Sequence, residues 1–481
     1  MPTPEQDFIR EYIARNREAI ALTGDKIFYF GELGMQEHET AALLTGLLEK
    51  DGFAVERGIA GFPTGFCAQW GSGKPVVAIV TEYDSVPDNS QMSGEPEQKA
   101  IVEGAPGHCE GHNLNASVLI GAALAAKATM ERFALPGTLK VFGGPAEEQL
   151  ISRPYMVRDG YFDDADVVFH DHVGAEFSTG YGLSQQALIS AVFHFHGESA
   201  HAGVAPWKGR DALDAAVLMD MGMAQYREHM TPGMSAQRVI AKGGDQPNVV
   251  PRHASAWWFF REASAAGAEA LFARGKQIAE GAALMTDTRL EVEVLSAVWP
   301  FRANRTLAET LQRNIERVGA PQWTQEEHDL ARALQAKVGA PVEGLKTNVK
   351  PLAGAIRQRP SANDIGDISW KTPMAKLYFP GNAPGLSAHH WAAGVTLAHS
   401  IGHKGAAAGA EVLAGAIVDC LTQVELVTEA KRTFREEIGD VIYRPLIPPD
   451  QKPPLALNRE AMERFRPLME TYYIREEPVF K

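Results

Sequence analysis

Cysteine is scarce: only Cys67, Cys109 and Cys420 occur. Three cysteines build no disulfide framework, and an odd count suits a reducing compartment better than secretion. Long apolar runs are also missing. No stretch reaches the 18 or so apolar residues of a membrane span. The nearest, GAAAGAEVLAGAIVDCL, is interrupted by Glu411 and Asp419 and reads as a buried helix. The opening segment, MPTPEQDFIREYIARNREAI, is charged and lacks the apolar centre of a signal peptide. A cytoplasmic protein with no membrane partner is expected. Positive charge is in deficit too, with a formal net charge of −14. That disfavours a nucleic-acid surface, which needs Lys and Arg against phosphates. It leaves room for an anionic small molecule, because a few arginines can make a local site in an acidic protein. No internal repeat or low-complexity tract is present.

What remains is a chain of 481 residues, too long for one core, since cores stop growing at about 250–300 residues. Residues 5–21 and 38–50 read as amphipathic helices, with a short strand at 53–56. PVVAIV, residues 75–80, is a continuous β-branched run suited to a strand covered on both faces. A helix at 114–133 and strands at 138–142 and 165–169 follow. The three buried strands open into TEYDSVP, GGPAEEQ and HDHVG. Open α/β sheets gather their ligands in this way, past the carboxyl ends of strands. Near residue 187 the pattern changes to β-α-β-β-α-β, the ferredoxin-like order. The expected organisation is therefore a mixed-sheet α/β domain over 1–186 and 301–481, interrupted by an α+β domain over 187–300. From about 430 the Pro-rich, charged sequence reads as an extended surface strap.

Four clusters carry chemistry. PGHCEGHN sets His108, Cys109, Glu110 and His112 between glycines that permit sharp turns. GGPAEEQ holds Glu147 beside Glu148, a pair costly to bury without a cation. One can hold a metal while the other takes a proton from activated water. HDHVG supplies His170 and His172, and GLSAHHWAAG supplies His389 and His390. Taken singly, each histidine pair is as readily a surface or packing feature. Five ligands exceed the three that one catalytic zinc takes, whereas two ions sharing a carboxylate would use them all. Mixed nitrogen and oxygen donors leave zinc, manganese and cobalt open.

In order and spacing, TEYDSVP, PGHCEGHN, PAEE, HVG, SAHAG, GGDQPNVVP, SANDIGDISW, AHHW and HSIGHKG resemble the M20 family of metallopeptidases and amidohydrolases. Within that family the resemblance is to the p-aminobenzoyl-glutamate hydrolase-like branch, on the side of its B-type subunits, and it covers nearly the whole chain. It implies a metallopeptidase-type catalytic domain with a ferredoxin-like dimerisation (lid) domain. It also implies a homodimer, or a related hetero-subunit. Glu147 matches the general base. Glu110, His112, Glu148, His172 and His389 match the ligands of two divalent ions, zinc or manganese with cobalt as a further option, and Asp84 lies near them. His170 and His390 are left to supporting roles. The family places a Cys two residues before the first His; here Glu110 stands there, with Cys109 one position earlier as the alternative ligand. His201 matches a donor to the developing oxyanion, which often acts from the partner subunit. Asn248 and Arg261 are candidates for substrate contact. The implied reaction is hydrolysis of a small N-acyl or N-aroyl amino acid such as p-aminobenzoyl-glutamate. The alternatives are a dipeptidase or aminopeptidase, and a non-catalytic partner of a related subunit.

Overall fold

The computed structural model describes residues 2–355, 358 and 361–481. A six-stranded mixed sheet organises the larger part. Its order is Ala54–Arg57, Phe66–Ser72, Gly137–Gly143, Val76–Thr81, Val167–Gly174 and Met374–Pro380. The first three run antiparallel to one another in turn, and the last four are parallel. Val76–Thr81 is buried at every position, as its β-branched run requires with both faces covered.

One face packs on the helices Pro4–Phe30, His112–Phe133 and Ser400–Thr422, joined by Ile20, Leu119, Ala410 and Leu413. Ser400–Thr422 is long and apolar enough to cross a membrane, but it is a core helix here. Across the sheet, Val80, Phe142 and Val168 meet Met156, Ile365 and Ile368.

The first helix runs beyond residue 21 to Phe30. A capping box between Thr3 and Gln6 starts it, and left-handed Gly31 ends it. Val167–Gly174 also runs further than expected, so HDHVG lies in the strand and not in a loop. The cause is Met374–Pro380, which pairs with it along its full length. The Pro-rich strap carries a helix as well, Arg459–Met469.

A separate four-stranded antiparallel sheet has the order Arg289–Val298, Ala187–His196, His253–Glu262 and Ser235–Lys242. The helices Ala212–Tyr226 and Ala265–Thr286 cover one face through Ala216, Met219, Leu271 and Ala279. The chain order is the β-α-β-β-α-β of a ferredoxin-like unit.

Candidate metal centre

The site forms past the carboxyl ends of the parallel strands. Immediately after Val76–Thr81, Glu82 and Asp84 are buried. His112 opens its helix behind Gly111, whose φ is 84°. A Cβ at Gly111 would lie 2.3 Å from Val173 Cγ1. Glycine is thus needed both for the left-handed turn and for the close approach that sets Glu110 and His112 on either side of it.

His112 Nδ1 lies 3.0 Å from the Asp84 carbonyl oxygen and 3.3 Å from Asp84 Oδ1. Its Nε2 is 3.7 Å from Glu147 Oε2. The other oxygen of Asp84 accepts the Glu148 amide at 2.9 Å. His172 Nδ1 faces the carbonyl of Val173 at 2.9 Å. Donation there leaves Nε2 of His172 as a lone-pair donor. The His112 and His172 rings stand edge to face, with centroids 5.5 Å apart. His389 Nε2 lies 3.0 Å from Glu110 Oε1 and 3.1 Å from Glu148 Oε2. Its φ of 58° is unusual for a non-glycine residue. The five ligands expected from sequence are therefore linked in one contiguous constellation.

The electrostatics favour a cation here. Burial pushes Glu147 well above the usual carboxylate range, and it raises Glu148 as well. Burial would also raise Glu110, but the hydrogen bond from His389 and the nearby histidines hold it low. Glu110 and Glu148 in turn push His389 up to about 10. Burial depresses His172 to about 3, with Lys376 adding to the effect. Glu148 Oε1 is buried with no hydrogen-bond partner among the described residues. A buried, orphaned carboxylate oxygen within a cluster of imidazoles and carboxylates fits a divalent ion.

Two groups bring their ligand atoms within 4.8 Å of one another: His112 with Glu147 and Glu148, and His112 with Glu82 and His172. Glu82 is already engaged. It accepts from Arg153 at 2.8 Å and Asn115 at 3.1 Å, and it meets His170 Nε2 at 2.7 Å. It is better placed as a support. Arg153 is fully buried and also pairs with Asp364 Oδ1 at 3.0 Å. Sequence reasoning passed over Glu82, Arg153 and Asp364, although Glu82 lies inside TEYDSVP and Asp364 inside SANDIGDISW.

Cys109 is in neither of those two groups. It is buried in an apolar cluster with Val86 and Ala393, and burial pushes its thiol up. Of Cys109 and Glu110, Glu110 is the one whose side chain meets the His389 ring. His170 supports Glu82, and His390 caps the short helix Trp391–Gly394 through the Ala392 amide. His201, Asn248 and Arg261 lie with the other sheet. Their side-chain hydrogen bonds go to Gly203 and Val204, to Gln246, and to Gln237. Among the described residues none is bonded to the constellation.

Over residues 183–285 the chain matches the M20 peptidase dimerisation domain. It is 31% identical to the B subunit of p-aminobenzoyl-glutamate hydrolase from Escherichia coli over 93% of this chain and 98% of that one. The chain belongs to the M20 family. Another relative, the Xaa-Arg dipeptidase of Mus musculus, is 29% identical over 64% of this chain and 70% of its own. A dinuclear metal-binding M20 peptidase from Bacillus subtilis has the same fold, with a TM-score of 0.52 at 18% identity. That match covers 86% of this chain and 99% of the other. This M20 member is a hydrolytic enzyme with a donor set for divalent metal.

Proposed function

We propose that the protein hydrolyses the amide bond of a small N-acyl or N-aroyl amino acid of the p-aminobenzoyl-glutamate type. The observation that carries this is the convergence of Glu110, His112, Glu148, His172 and His389 beside the buried Glu147. Those five residues would hold two divalent ions, zinc or manganese, with Glu110 or Glu148 shared. When bound, such ions polarise a carbonyl and acidify water.

Glu147 takes the proton of the attacking water and returns it to the leaving amine. Its raised proton affinity suits a group that must hold that proton during turnover. Asp84 holds His112 Nδ1 through its backbone carbonyl and its carboxylate, keeping one tautomer, and the same carboxylate accepts the Glu148 amide. In His201, Nδ1 accepts the amides of Gly203 and Val204 at 3.2 Å each, which leaves Nε2–H free to donate to an oxyanion. Asn248 and Arg261 would contact substrate from the same side.

The active form is a homodimer in which this side of one subunit covers the metals of the other. The dimerisation-domain match supports a dimer, and so does the edge strand Ser235–Lys242, which exposes Val239 and Ile240. The cell compartment is the cytoplasm. Measuring hydrolysis of N-benzoyl amino acids, acetyl amino acids and dipeptides by metal-loaded protein, with metal content assayed, tests the proposal. The expected result is turnover of the acyl amino acids. Exclusive cleavage of free-amine dipeptides would replace it with a dipeptidase.

A further inference from the structure

Lys376 is a buried cation that the site described above does not use. It lies on Met374–Pro380, paired with His170, while Tyr378 is paired with His172. Alternation along a strand puts Lys376 and Tyr378 on the face shared by the two histidines. The His172 and Tyr378 rings are 6.0 Å apart at their centroids. Lys376 is one same-face step from that level, about 6.6 Å along the strand.

The side chain is 5% exposed. Its ammonium sits 5.0 Å from the centre of the Tyr378 ring. Among the described residues no carboxylate comes within ion-pair distance of it. Asp171 feels its charge, but its own carboxylate oxygens are buried without a hydrogen-bond partner. A buried ammonium without an anion is costly.

The amine has somewhere to point. Lys376 and Tyr378 line a cavity of about 360 Å³ with Gly174, Ser178, Ser184 and Phe301. The second cation on that wall, Lys350, is neutralised by Glu176 at 2.5 Å. Among the described residues the cavity thus carries the charge of one free cation, beside Tyr378, which meets the proposed ligand His172.

We propose that this cavity is a carboxylate subsite in which Lys376 receives the side-chain carboxylate of an acidic amino-acid moiety. The enzyme then selects N-acyl glutamates or aspartates over neutral and basic counterparts. A glutamyl side chain spans the step between the His172 level and Lys376. A cation at that point would repel an arginine side chain. This inference rests on the amidohydrolase reading above.

The test compares N-benzoyl-L-glutamate with N-benzoyl-L-glutamine on metal-loaded protein. The wild type is expected to favour the glutamate at least tenfold in kcat/KM. In Lys376→Met and Lys376→Gln the ratio should fall toward one at unchanged metal content, and Lys376→Arg should keep most of it. A ratio that survives both neutral variants overturns the subsite. So does a parallel loss on both substrates, which means that Lys376 is structural or binds the carboxylate common to both. Calorimetry in a Glu147→Gln background supplies a second readout: adding Lys376→Met should weaken N-benzoyl-L-glutamate binding at least tenfold. Lys376-dependent binding without any wild-type cleavage leaves the subsite standing and defeats the amidohydrolase reading. Cleavage with binding insensitive to Lys376, or no binding at all, defeats the subsite.

Discussion

Asp84 and His112 form a buried pair in which the Nδ1 edge of the imidazole is held and Nε2 is turned toward Glu147. The same carboxylate takes the Glu148 amide, so one side chain orients two proposed ligands. Supports of this kind typically carry about 10–100-fold in metal affinity. Asp84→Ala is expected to weaken metal binding by that factor while the fold persists. Competition against a chromogenic chelator measures it, and unchanged affinity would remove Asp84 from the centre.

Glu147→Gln keeps the shape of the side chain and removes the base. Metal content and melting temperature should stay close to wild type while kcat falls by about 10²-fold or more. Near-normal turnover at normal metal content would eliminate Glu147 as the proton carrier.

Glu147 follows the strand Gly137–Gly143 of the larger sheet and His201 follows Ala187–His196 of the four-stranded one, so their complementation reports whether one site draws on two subunits. His201→Ala and Glu147→Ala should each be inactive as homodimers. After subunit exchange, confirmed by mass spectrometry, random pairing gives about half mixed dimers, each with one intact site. Activity should therefore approach about a quarter of wild type. No recovery after confirmed exchange would mean that His201 acts within its own chain or not at all.

Arg153 bridges Glu82 and Asp364 at zero exposure. Removing one partner of a buried ion pair costs about 3–5 kcal/mol, because the remaining charge is uncompensated. Arg153→Met should lower the urea midpoint accordingly. A shift of less than about 1 kcal/mol would mean that the pocket rehydrates and that the network is not structural.

Asp367 carries a pH signature away from the metals. Burial raises its pKa from 3.8 to about 7, against the amide of Trp299 and the hydroxyl of Tyr443. The folded chain holds this proton more tightly than the unfolded one. Stability from this group is therefore full below about pH 4 and lost as pH rises to about 7, at no more than about 1.4 kcal/mol per pH unit. Asp367→Asn should flatten the melting-temperature profile in that window. An unchanged slope would assign the dependence elsewhere.

Residues that announce their environment by pattern were legible. Val76–Thr81 is apolar and β-branched throughout, and the β-α-β-β-α-β order emerges from alternation and turns. Glu110, His112, Glu148, His172 and His389 could be chosen because short motifs frame them. Met374–Pro380 was not legible as a strand. Lys376 and Tyr378 interrupt its apolar run because they face a cavity, and Pro380 closes it. Glu82 was overlooked for a related reason. Its role depends on Arg153 and His170, which meet it only in three dimensions.

The pairing of Val167–Gly174 with Met374–Pro380 has a consequence for how the molecule is made. The four-stranded unit lies wholly between these two strands in the chain. It can leave the ribosome and fold while the larger sheet still lacks its sixth strand, since domains fold as units in order of synthesis. His172 gains its neighbour Tyr378, and the His389 loop follows, only when this late segment arrives. A nascent chain stalled before residue 374 would therefore carry a complete four-stranded unit and an incomplete candidate metal centre.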